Sequence, residues 1–450
     1  MARVGGVKKE VGQMVNHIKK QLDSVSPTLC LAKWTQVTIH LQNGQTHSCH
    51  HPSTHKVPLK ELKGNPSALH NTKFKKEKRK EMLKGIRPRE CDYCWRIEDA
   101  AADMFSDRHH KSSCSWSYPH FNEISKMSGD ENFDPTYVEV SFSNACNFKC
   151  MYCSPHISSK WMDEIKQYGY YPTSDKHHDL ELTKWLDRMP IPNNQYNPYQ
   201  EAFWEWWPSL YKNLHTFRIT GGEPLMAKDT FKVLDYIEET ETPNTNLILG
   251  VNSNLGTPDK LINKFIKSVR KIVDEKRVRK FELYTSAEAY GERNDYIRYG
   301  MNYDNWINNL RKIMDTLPEV QVTMMCAYNA LGISSFTKFL KDMELIKEKC
   351  GKDSIRIDIP YVRHPDFMDC KIMKEGHYIK ESWHYMKNSK WFNETETHKM
   401  ERIYRYWKHH KDNDHSRQRR DLTIYLREID KRRRTIFKSV FPEFKDYYNR

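Results

Sequence analysis

Long apolar runs are missing from this sequence, which contains no stretch of about 18 apolar residues that could span a membrane. Its mean hydropathy is -0.86. The segment from Met1 to Lys20 is basic and polar, and it lacks the apolar core of a secretory signal. We therefore expect a cytoplasmic protein with no membrane partner. Disulfides are rare in such a reducing compartment, so the 11 cysteines need another role: metal chemistry, redox chemistry or packing in the core.

Internal repeats and long low-complexity linkers are also missing. Of the 450 residues, 38% are hydrophobic and 12% are aromatic, which is enough to build a sizeable core and excludes general disorder. The length predicts one large domain or two to three ordinary ones. The character of the sequence predicts four regions: 1–29, a helical lead-in; 30–128, a small α+β domain; 135–370, alternating strands and helices; and 371–450, basic and helical.

Acidic residues are too few to balance the basic ones, since 59 Asp and Glu face 73 Lys and Arg and leave a net charge of +14. The excess concentrates in Pro58–Glu90 and in residues 371–450. Such segments are either solvated helix faces or surfaces that attract phosphate backbones or acidic substrates. Four apolar residues recur at roughly helical spacing in the second segment: Leu422, Ile429, Ile436 and Val440. We therefore expect a packed, basic amphipathic helix there.

The region 135–370 alternates between strand and helix patterns. Six strand candidates occur: Tyr137–Phe142, Thr216–Thr220, Asn246–Val251, Lys280–Thr285, Val320–Cys326 and Ser354–Ile359. Helical patterns between them include Thr230–Glu238, Pro258–Val273, Asp304–Thr316 and Ser334–Lys349. This alternation predicts an α/β fold with a parallel sheet, either open or closed into a partial barrel. Upstream, the alternating stretch Trp34–Leu41 followed by Asn43-Gly44 predicts a hairpin, and Lys73–Leu83 predicts a helix.

Two short motifs follow the first two of these strands. The first is a CxxxCxxC loop: Cys146, Cys150 and Cys153. Three thiolates within eight residues predict either a zinc site completed by a distant Cys or His, or an iron–sulfur cube with one open position. The second is Gly221-Gly222-Glu223-Pro224. Its glycines allow a ligand to approach the backbone, and its glutamate offers a carboxylate to an ammonium group.

Together, these two motifs resemble the radical S-adenosylmethionine (radical SAM) superfamily. The resemblance covers about residues 135–370 and implies a partial (β/α)6 barrel of the TIM type. It also implies that the three loop cysteines hold a [4Fe–4S] cluster whose fourth iron chelates the amino and carboxylate groups of SAM. The implied SAM contacts are Tyr152 at the adenine, Gly221, Gly222 and Glu223 at the methionyl ammonium, and Ser286 at the ribose or methionyl group.

Two later segments resemble the family less closely. In Val251-Asn252-Ser253-Asn254 the expected following glycine is displaced to Gly256, so Asn254 is a weaker candidate than Ser286. Arg298 lies in the segment Tyr296-Ile297-Arg298-Tyr299-Gly300, which resembles a segment of related sequences and suggests a role at the site. The alternative is that Arg298 forms a surface ion pair. No catalytic side chain is assigned; the residues considered as a general base are Glu288, Tyr290 and Glu292.

A second set of cysteines lies in the N-terminal region: Cys30, Cys49, Cys91 and Cys94. Two cysteines that bracket a hairpin, with a distant CxxC, can converge on one tetrahedral site for zinc or for an iron–sulfur cluster. Beside a radical SAM core, this pattern resembles the auxiliary-cluster segment called twitch, the shorter form of SPASM. Ala100 and Met104 stand where the fuller form has more cysteines. In most relatives the segment follows the barrel, whereas here it precedes it.

The resemblance implies that a reduced cluster cleaves SAM to methionine and a 5′-deoxyadenosyl radical, which abstracts hydrogen from a substrate. An auxiliary [4Fe–4S] cluster would then accept an electron, giving net oxidation of a peptide or small molecule. The expected partner is an electron donor such as flavodoxin or ferredoxin. The alternative is a non-enzymatic iron–sulfur or zinc protein that binds nucleic acid through its basic regions.

Other residues lack a chemical pattern. The default for four cysteines is a buried thiol: Cys114, Cys326, Cys350 and Cys370. Three histidine pairs are expected at the surface: His50-His51, His109-His110 and His409-His410. The aromatic-rich stretch from Pro155 to His215 is either a wall of the substrate site or a helical insertion that packs on the core.

Overall fold

The structure is a computed structural model that describes residues 2–101 and 104–449. It shows a mixed α/β protein with a large, mostly parallel sheet. The chain forms two compact units. Unit 1 contains residues 1–142, 191–219 and 244–249, and unit 2 contains 143–190, 220–243 and 250–450. The division into the four predicted regions stays a prediction.

Unit 1 holds the N-terminal strands and one later strand. Four strands lie wholly in this unit: β1 (Gln36–His40), β2 (Gln45–His47), β3 (His55–Lys56) and β4 (Tyr137–Ser141). Most of a fifth strand, β6 (Thr216–Thr220), also belongs to it. Their order is β6-β4-β1-β2-β3. Its helices are α1 (Ala2–Val25), α2 (Ala32–Thr35), α3 (Leu59–Leu62), α4 (Lys73–Leu83), α5 (Asp92–Ala100), α6 (Asp107–Ser112), α7 (Phe121–Ile124) and α10 (Pro198–Asn213).

Unit 2 holds the remaining elements. Its strands are β5 (Lys149–Cys150), most of β7 (Ile248–Asn252), β8 (Lys280–Thr285), β9 (Arg298–Tyr299), β10 (Gln321–Met325) and β11 (Ile355–Asp358). The order is β11-β10-β8-β7, and β5 pairs separately with β9. Its helices are α8 (Ser159–Tyr168), α9 (Leu180–Trp185), α11 (Lys228–Glu239), α12 (Asp259–Asp274), α13 (Glu292–Ile297), α14 (Tyr303–Thr316), α15 (Phe336–Cys350), α16 (Gly376–Asn388), α17 (Glu394–His410), α18 (Ser416–Arg433), α19 (Phe437–Val440) and α20 (Lys445–Tyr448).

Strands and helices alternate in unit 2 as the sequence predicts. Strand β10 runs parallel to both β8 and β11, and helices α14 and α15 connect these three strands. The inward faces are apolar: Leu283, Val322 and Ile355 are buried. This is the order that right-handed crossovers produce in a parallel sheet. Closure of the six predicted strands into a partial barrel stays a prediction.

The predicted hairpin is present in unit 1. Strand β1 pairs antiparallel with β2, and Gly44 in the turn has a φ of +67°, a conformation that glycine adopts without strain. Strand β1 also runs parallel to β4, with Gln36 opposite Tyr137. The sequence did not predict this second pairing, because it placed the hairpin in a separate small domain.

The C-terminal region is a packed helix, as expected, but it ends earlier than the apolar spacing predicted. Leu422 and Ile429 on α18 are buried. Ile436 is 65% exposed, because α18 ends at Arg433 and Arg434 adopts a left-handed φ of +56°. The prediction of a buried Ile436 was therefore wrong.

Two further expectations about single residues were wrong. His109 is fully buried rather than at the surface, because its Nδ1 accepts a 3.1 Å hydrogen bond from the backbone N–H of Ser106 and so caps α6. Cys350 is exposed, because it is the last residue of α15 before the turn at Gly351. Cys326 and Cys370 are buried as expected. Within the described residues, no helix is both long and apolar enough to cross a membrane.

Candidate functional site

Backbone hydrogen bonds hold the CxxxCxxC loop against a neighbouring segment of unit 2. Strand β5 pairs antiparallel with β9, with Cys150 opposite Arg298. The N–H of Met151 donates to the carbonyl of Ile297 at 2.8 Å. On the other side, the indole N–H of the buried Trp161 donates to the carbonyl of Cys150 at 2.8 Å. The loop is therefore held at its central cysteine by strand pairing and by a side-chain hydrogen bond to its backbone.

The Gly-Gly-Glu motif packs directly on this loop. The N–H of Gly222 donates to the carbonyl of Ser143 at 3.1 Å, and the N–H of Glu223 donates to the carbonyl of Ala145 at 2.7 Å. A Cβ atom at Gly222 would lie 2.4 Å from the Ala145 oxygen. Gly221 has a φ of +127°, which side-chain-bearing residues rarely adopt. The first requirement for glycine at position 222 is thus close approach to the cysteine loop.

One cavity of about 320 Å³ lies at the ends of these segments, entirely within unit 2. This volume is in the range of small-molecule sites in proteins. Every residue that the sequence predicts at the SAM site lines it: Cys146, Cys150, Tyr152, Cys153, Gly221, Gly222, Glu223 and Ser286. The weaker candidates Asn254 and Arg298 line it too. The structure therefore gathers the whole predicted set around one space.

Glu223 is the buried carboxylate of this cavity. It is 1% exposed and accepts hydrogen bonds from the hydroxyl of Ser253 at 2.8 Å and from the N–H of Asn254 at 2.6 Å. A third donor is the N–H of Leu225, at 3.1 Å. Burial raises the pKa of the Glu223 carboxyl to about 7, although these hydrogen bonds oppose the rise. A cationic group in the cavity would favour its ionised form.

Asn254 and Asn147 form a side-chain bridge that the sequence did not predict. The Nδ2 group of Asn254 donates to Oδ1 of Asn147 at 2.9 Å, and the Nδ2 group of Asn147 donates to the carbonyl of Gly256 at 2.7 Å. The N–H of Gly256 in turn donates to Oδ1 of Asn254 at 2.8 Å. Asn254 thus fastens the cysteine loop to the segment after β7. The asparagine in the CNFKC segment was the available signal for this role.

Arg298 belongs to a buried ion pair rather than to the surface. Its Nε and Nη2 groups donate to Oε2 of Glu288 at 2.9 and 2.8 Å, and the hydroxyl of Tyr152 donates to Oε1 of Glu288 at 3.0 Å. Glu288 is fully buried. Burial opposes the charge on Arg298, but Glu288 raises the pKa of this guanidinium well above its usual value. Both carboxylate oxygens of Glu288 therefore accept hydrogen bonds, one from Tyr152 and the other from Arg298.

The other two residues considered as a base are elsewhere. Tyr290 and Glu292 are exposed and do not line the cavity. Further residues that line the cavity were not predicted as SAM contacts: Asn252, Ser253, Met325, Ala327 and Pro360. Ser253 was within the quoted strand-end segment, whereas the last three carry no motif. The tertiary fold alone brings those three to the site.

The three loop thiols fit a metal cluster by their chemistry. Burial raises the pKa of the Cys146 thiol to about 12, and the neighbouring Cys150 adds to the rise. Burial also raises the pKa of Cys150 and of Cys153. Such thiols become thiolates when a metal binds and releases their protons. Within the described residues, no three Cys, His, Asp or Glu side chains are already gathered around the position of a single ion. A four-iron cube is wider than one ion, and its cysteines stand farther apart.

The second set of cysteines converges inside unit 1. Cys30, Cys49, Cys91 and Cys94 line one small cavity of about 20 Å³, room for about one water molecule. Burial raises the pKa of Cys30 to about 12 and that of Cys91 to about 11. The buried Lys33 lines the same cavity and forms an ion pair with Glu90. Thiols are ligands of both zinc and iron–sulfur clusters, but within the described residues these four are not gathered around the position of a single ion, and a cavity of this volume does not hold a four-iron cube unless the side chains move.

The aromatic-rich stretch is mainly helical. Trp161 and Trp207 are fully buried, in units 2 and 1 respectively, whereas Trp185 is 80% exposed. Among the described residues, no tryptophan lines the 320 Å³ cavity. Trp161 and Trp207 therefore fit the interpretation as a packing insertion, whereas Trp185 neither packs in the core nor lines this cavity.

Comparison with known proteins gives partial matches. No protein-family model matches the chain. It is similar to GTP 3′,8-cyclases of Haemophilus ducreyi (31% identical over 108 residues, 24% of this chain and 23% of that protein), Campylobacter lari (27% over 119 residues, 26% and 28%) and Sulfurimonas denitrificans (24% over 140 residues, 31% and 34%). The chain thus spans about a quarter to a third of the length of these curated relatives. The similarity supports membership of the radical SAM superfamily and an enzymatic role.

Proposed function

We propose that this protein is a radical SAM enzyme that reductively cleaves SAM and abstracts hydrogen from a substrate. The observation that carries the proposal is the convergence of the CxxxCxxC loop, the Gly-Gly-Glu motif and Ser286 on one cavity of about 320 Å³. Cys146, Cys150 and Cys153 would hold a [4Fe–4S] cluster there. When bound and reduced, that cluster supplies the electron that cleaves SAM to methionine and a 5′-deoxyadenosyl radical.

The residues of the chain bind and orient SAM in this proposal. Glu223 accepts a hydrogen bond from the methionyl amino group, and the hydroxyl of Ser253 holds the Glu223 carboxylate in place. Tyr152 lies beside the adenine, with its hydroxyl fixed by Glu288. The buried surroundings exclude water, which protects a carbon radical from side reactions.

The direct test is product analysis. Anaerobically reconstituted protein, treated with dithionite and SAM, should form 5′-deoxyadenosine and methionine, measured by liquid chromatography and mass spectrometry. Cys150→Ala should abolish both products. Cys350→Ala is the matched control, because this thiol is exposed and far in sequence from either motif, and it should behave as the wild type. A folded, iron-loaded protein that forms no 5′-deoxyadenosine would refute the proposal.

We further propose that Cys30, Cys49, Cys91 and Cys94 hold an auxiliary [4Fe–4S] cluster that accepts an electron, so that the reaction is a net oxidation. Their shared cavity supports this ligand set. The reconstituted protein should contain about eight iron atoms, and about four after the Cys146, Cys150 and Cys153 triple alanine substitution. A count of four iron atoms and one zinc in the wild type would replace the auxiliary cluster by a structural zinc site.

The two sets of cysteines should have different functions, the first in SAM cleavage and the second in turnover of the substrate. Protein with Cys91→Ala and Cys94→Ala should still form 5′-deoxyadenosine, but without turnover of substrate. Only monodisperse protein is informative, because a metal site contributes to the folding of a small region. If such protein keeps the first cluster but loses SAM cleavage, the electron-acceptor role fails.

The substrate in this proposal is a peptide or a small molecule, and the electron donor is a flavodoxin or a ferredoxin. Because the similar proteins are named for a reaction of GTP, GTP is a reasonable first small-molecule probe for stimulated 5′-deoxyadenosine formation. A nucleic-acid-binding role gains less support, since basic residues of α18 are engaged within unit 2: Arg433 pairs with Glu164, and Arg432 with Glu428.

A further inference from the structure

Arg298 has one donor group left over from its ion pair, and that group points at a predicted cluster ligand. Its Nε and Nη2 groups bond to Glu288, which fixes the plane of the guanidinium. The remaining Nη1 lies 3.8 Å from Sγ of Cys150. Arg298 is 5% exposed, so little solvent screens the charge. The pairing of β5 with β9 places the two residues opposite each other and thus fixes this contact.

A positive charge and an N–H donor at a thiolate sulfur stabilise the more negative, reduced state of an iron–sulfur cluster. Such hydrogen bonds are among the factors that set its reduction potential. Other charged groups act on Cys150 as well. Glu288 opposes Arg298, and the guanidinium of Arg433, paired with Glu164, adds a more distant positive charge. Arg298 is the one whose donor reaches the sulfur.

We propose that Arg298 is a positioning residue that acts through Cys150 and raises the reduction potential of the cluster held by the CxxxCxxC loop. The inference rests on the proposed function, since it requires that cluster. Glu288 has the opposite influence: it orients Arg298 and partly cancels its charge. The pair therefore sets the potential at a value between those of its two neutralised forms.

The test is an EPR-monitored redox titration of the cluster whose signal changes when SAM is added. Arg298→Gln removes the positive charge and should lower the midpoint potential, whereas Glu288→Gln removes the negative charge and should raise it. We expect each shift to be at least tenfold in the reduction equilibrium, which is about 59 mV for a one-electron couple. Arg298→Lys keeps the charge and should restore most of the potential.

A merely structural role predicts a different result. If Arg298 only supports the loop, the Gln variants at 298 and 288 should both lose cluster or shift in the same direction, and either outcome overturns the inference. Should Arg298→Gln fail to assemble the cluster, Glu288→Gln decides: a raised potential supports the inference, and an unchanged or lowered one refutes it. Arg293→Gln is the matched control, because Arg293 pairs with Glu443 instead, and it should leave the potential unchanged.

The two proposals fail in distinguishable ways. The proposed function is refuted, before any variant is compared, if the wild-type protein takes up no iron or if its EPR signal does not change when SAM is added. Wild-type protein with a SAM-sensitive signal, combined with potentials that do not depend on residues 298 and 288, refutes the role of Arg298 alone.

Discussion

The hydroxyl of Ser253 donates a 2.8 Å hydrogen bond to the carboxylate of Glu223, joining the segments that follow β7 and β6. The adjacent N–H of Asn254 donates to the other carboxylate oxygen at 2.6 Å. Both oxygens are therefore held in fixed positions in a buried site. Because burial outweighs these donors, the pKa of Glu223 rises to about 7, so its carboxyl group changes its charge near neutral pH.

The first prediction is that SAM binding weakens as the pH falls. The ammonium of SAM favours the carboxylate of Glu223, so below pH 7 binding must first remove a proton from this residue. Affinity should fall up to tenfold for each pH unit below the pKa, or roughly 20-fold between pH 7.5 and pH 5.5. The amino group of SAM stays mostly protonated in this range. Equilibrium dialysis of the metal-free protein measures the effect, because an amino group that chelates iron is no longer an ammonium.

Glu223→Gln supplies the control for this prediction. Its affinity should be lower at pH 7.5 and nearly independent of pH down to 5.5. If the wild type and the variant show the same pH profile, then Glu223 does not face the ammonium group and the orientation of SAM in the cavity is wrong.

Much of the alternating strand and helix pattern could be predicted from the sequence. Local patterns determine strands such as Thr216–Thr220 and Lys280–Thr285, and both have those bounds in the structure. The cysteine and Gly-Gly-Glu motifs were also identifiable, because each is contiguous in the chain. Contacts between segments that are distant in the sequence could not be predicted. Pro360 is an example: it belongs to no motif, and only the arrangement of the parallel sheet places it at the cavity.

Asn254 and His109 illustrate two kinds of limit. Asn254 was a weak candidate because the glycine after it is displaced, yet the displaced Gly256 is what its side chain binds. A comparison of motif spacing cannot detect such a compensation. His109 was expected at the surface because the sequence shows no metal ligand at a suitable spacing from it, but its ring accepts a capping hydrogen bond and is buried. Composition does not reveal that kind of partner.

The second prediction concerns the bridge between Asn147 and Asn254. Asn147→Ala and Asn254→Ala each remove two side-chain hydrogen bonds, so each should lower the free energy of unfolding by about 1–3 kcal/mol. Because the two side chains bond to each other at 2.9 Å, the double variant should lose less than the sum of the single losses. Urea unfolding of the metal-free protein measures this. Strict additivity would contradict the bridge.

The third prediction concerns Gly222. In Gly222→Ala the new Cβ would lie 2.4 Å from the Ala145 carbonyl, so the cysteine loop must move. We expect a loss of about 1–3 kcal/mol in stability and reduced incorporation of iron at the loop. Gly12→Ala is the matched control: its Cβ would meet no atom within 4 Å, and helix propensity favours alanine there. Full iron loading of Gly222→Ala would show that the loop tolerates displacement.

The fourth prediction tests whether the basic C-terminal helix is a structural part of unit 2. Arg433 is buried with Glu164, to which its Nε donates at 3.1 Å, and its Nη1 donates to the carbonyl of Lys149 in the cysteine loop at 3.1 Å. Arg433→Met removes the positive charge that pairs with the buried carboxylate of Glu164. Breaking such a buried pair typically costs about 3–5 kcal/mol.

Lys431→Met, two residues earlier on α18, removes the same charge from an exposed position. Its effect on stability should be within about 0.5 kcal/mol. Denaturant unfolding compares the two variants, and Glu164→Gln should partly rescue Arg433→Met because it removes the uncompensated charge. Equal and small losses in the two methionine variants would mean that α18 is not packed through Arg433. The positive charge of this helix would then be available to an anionic partner, and the case for nucleic-acid binding would be stronger.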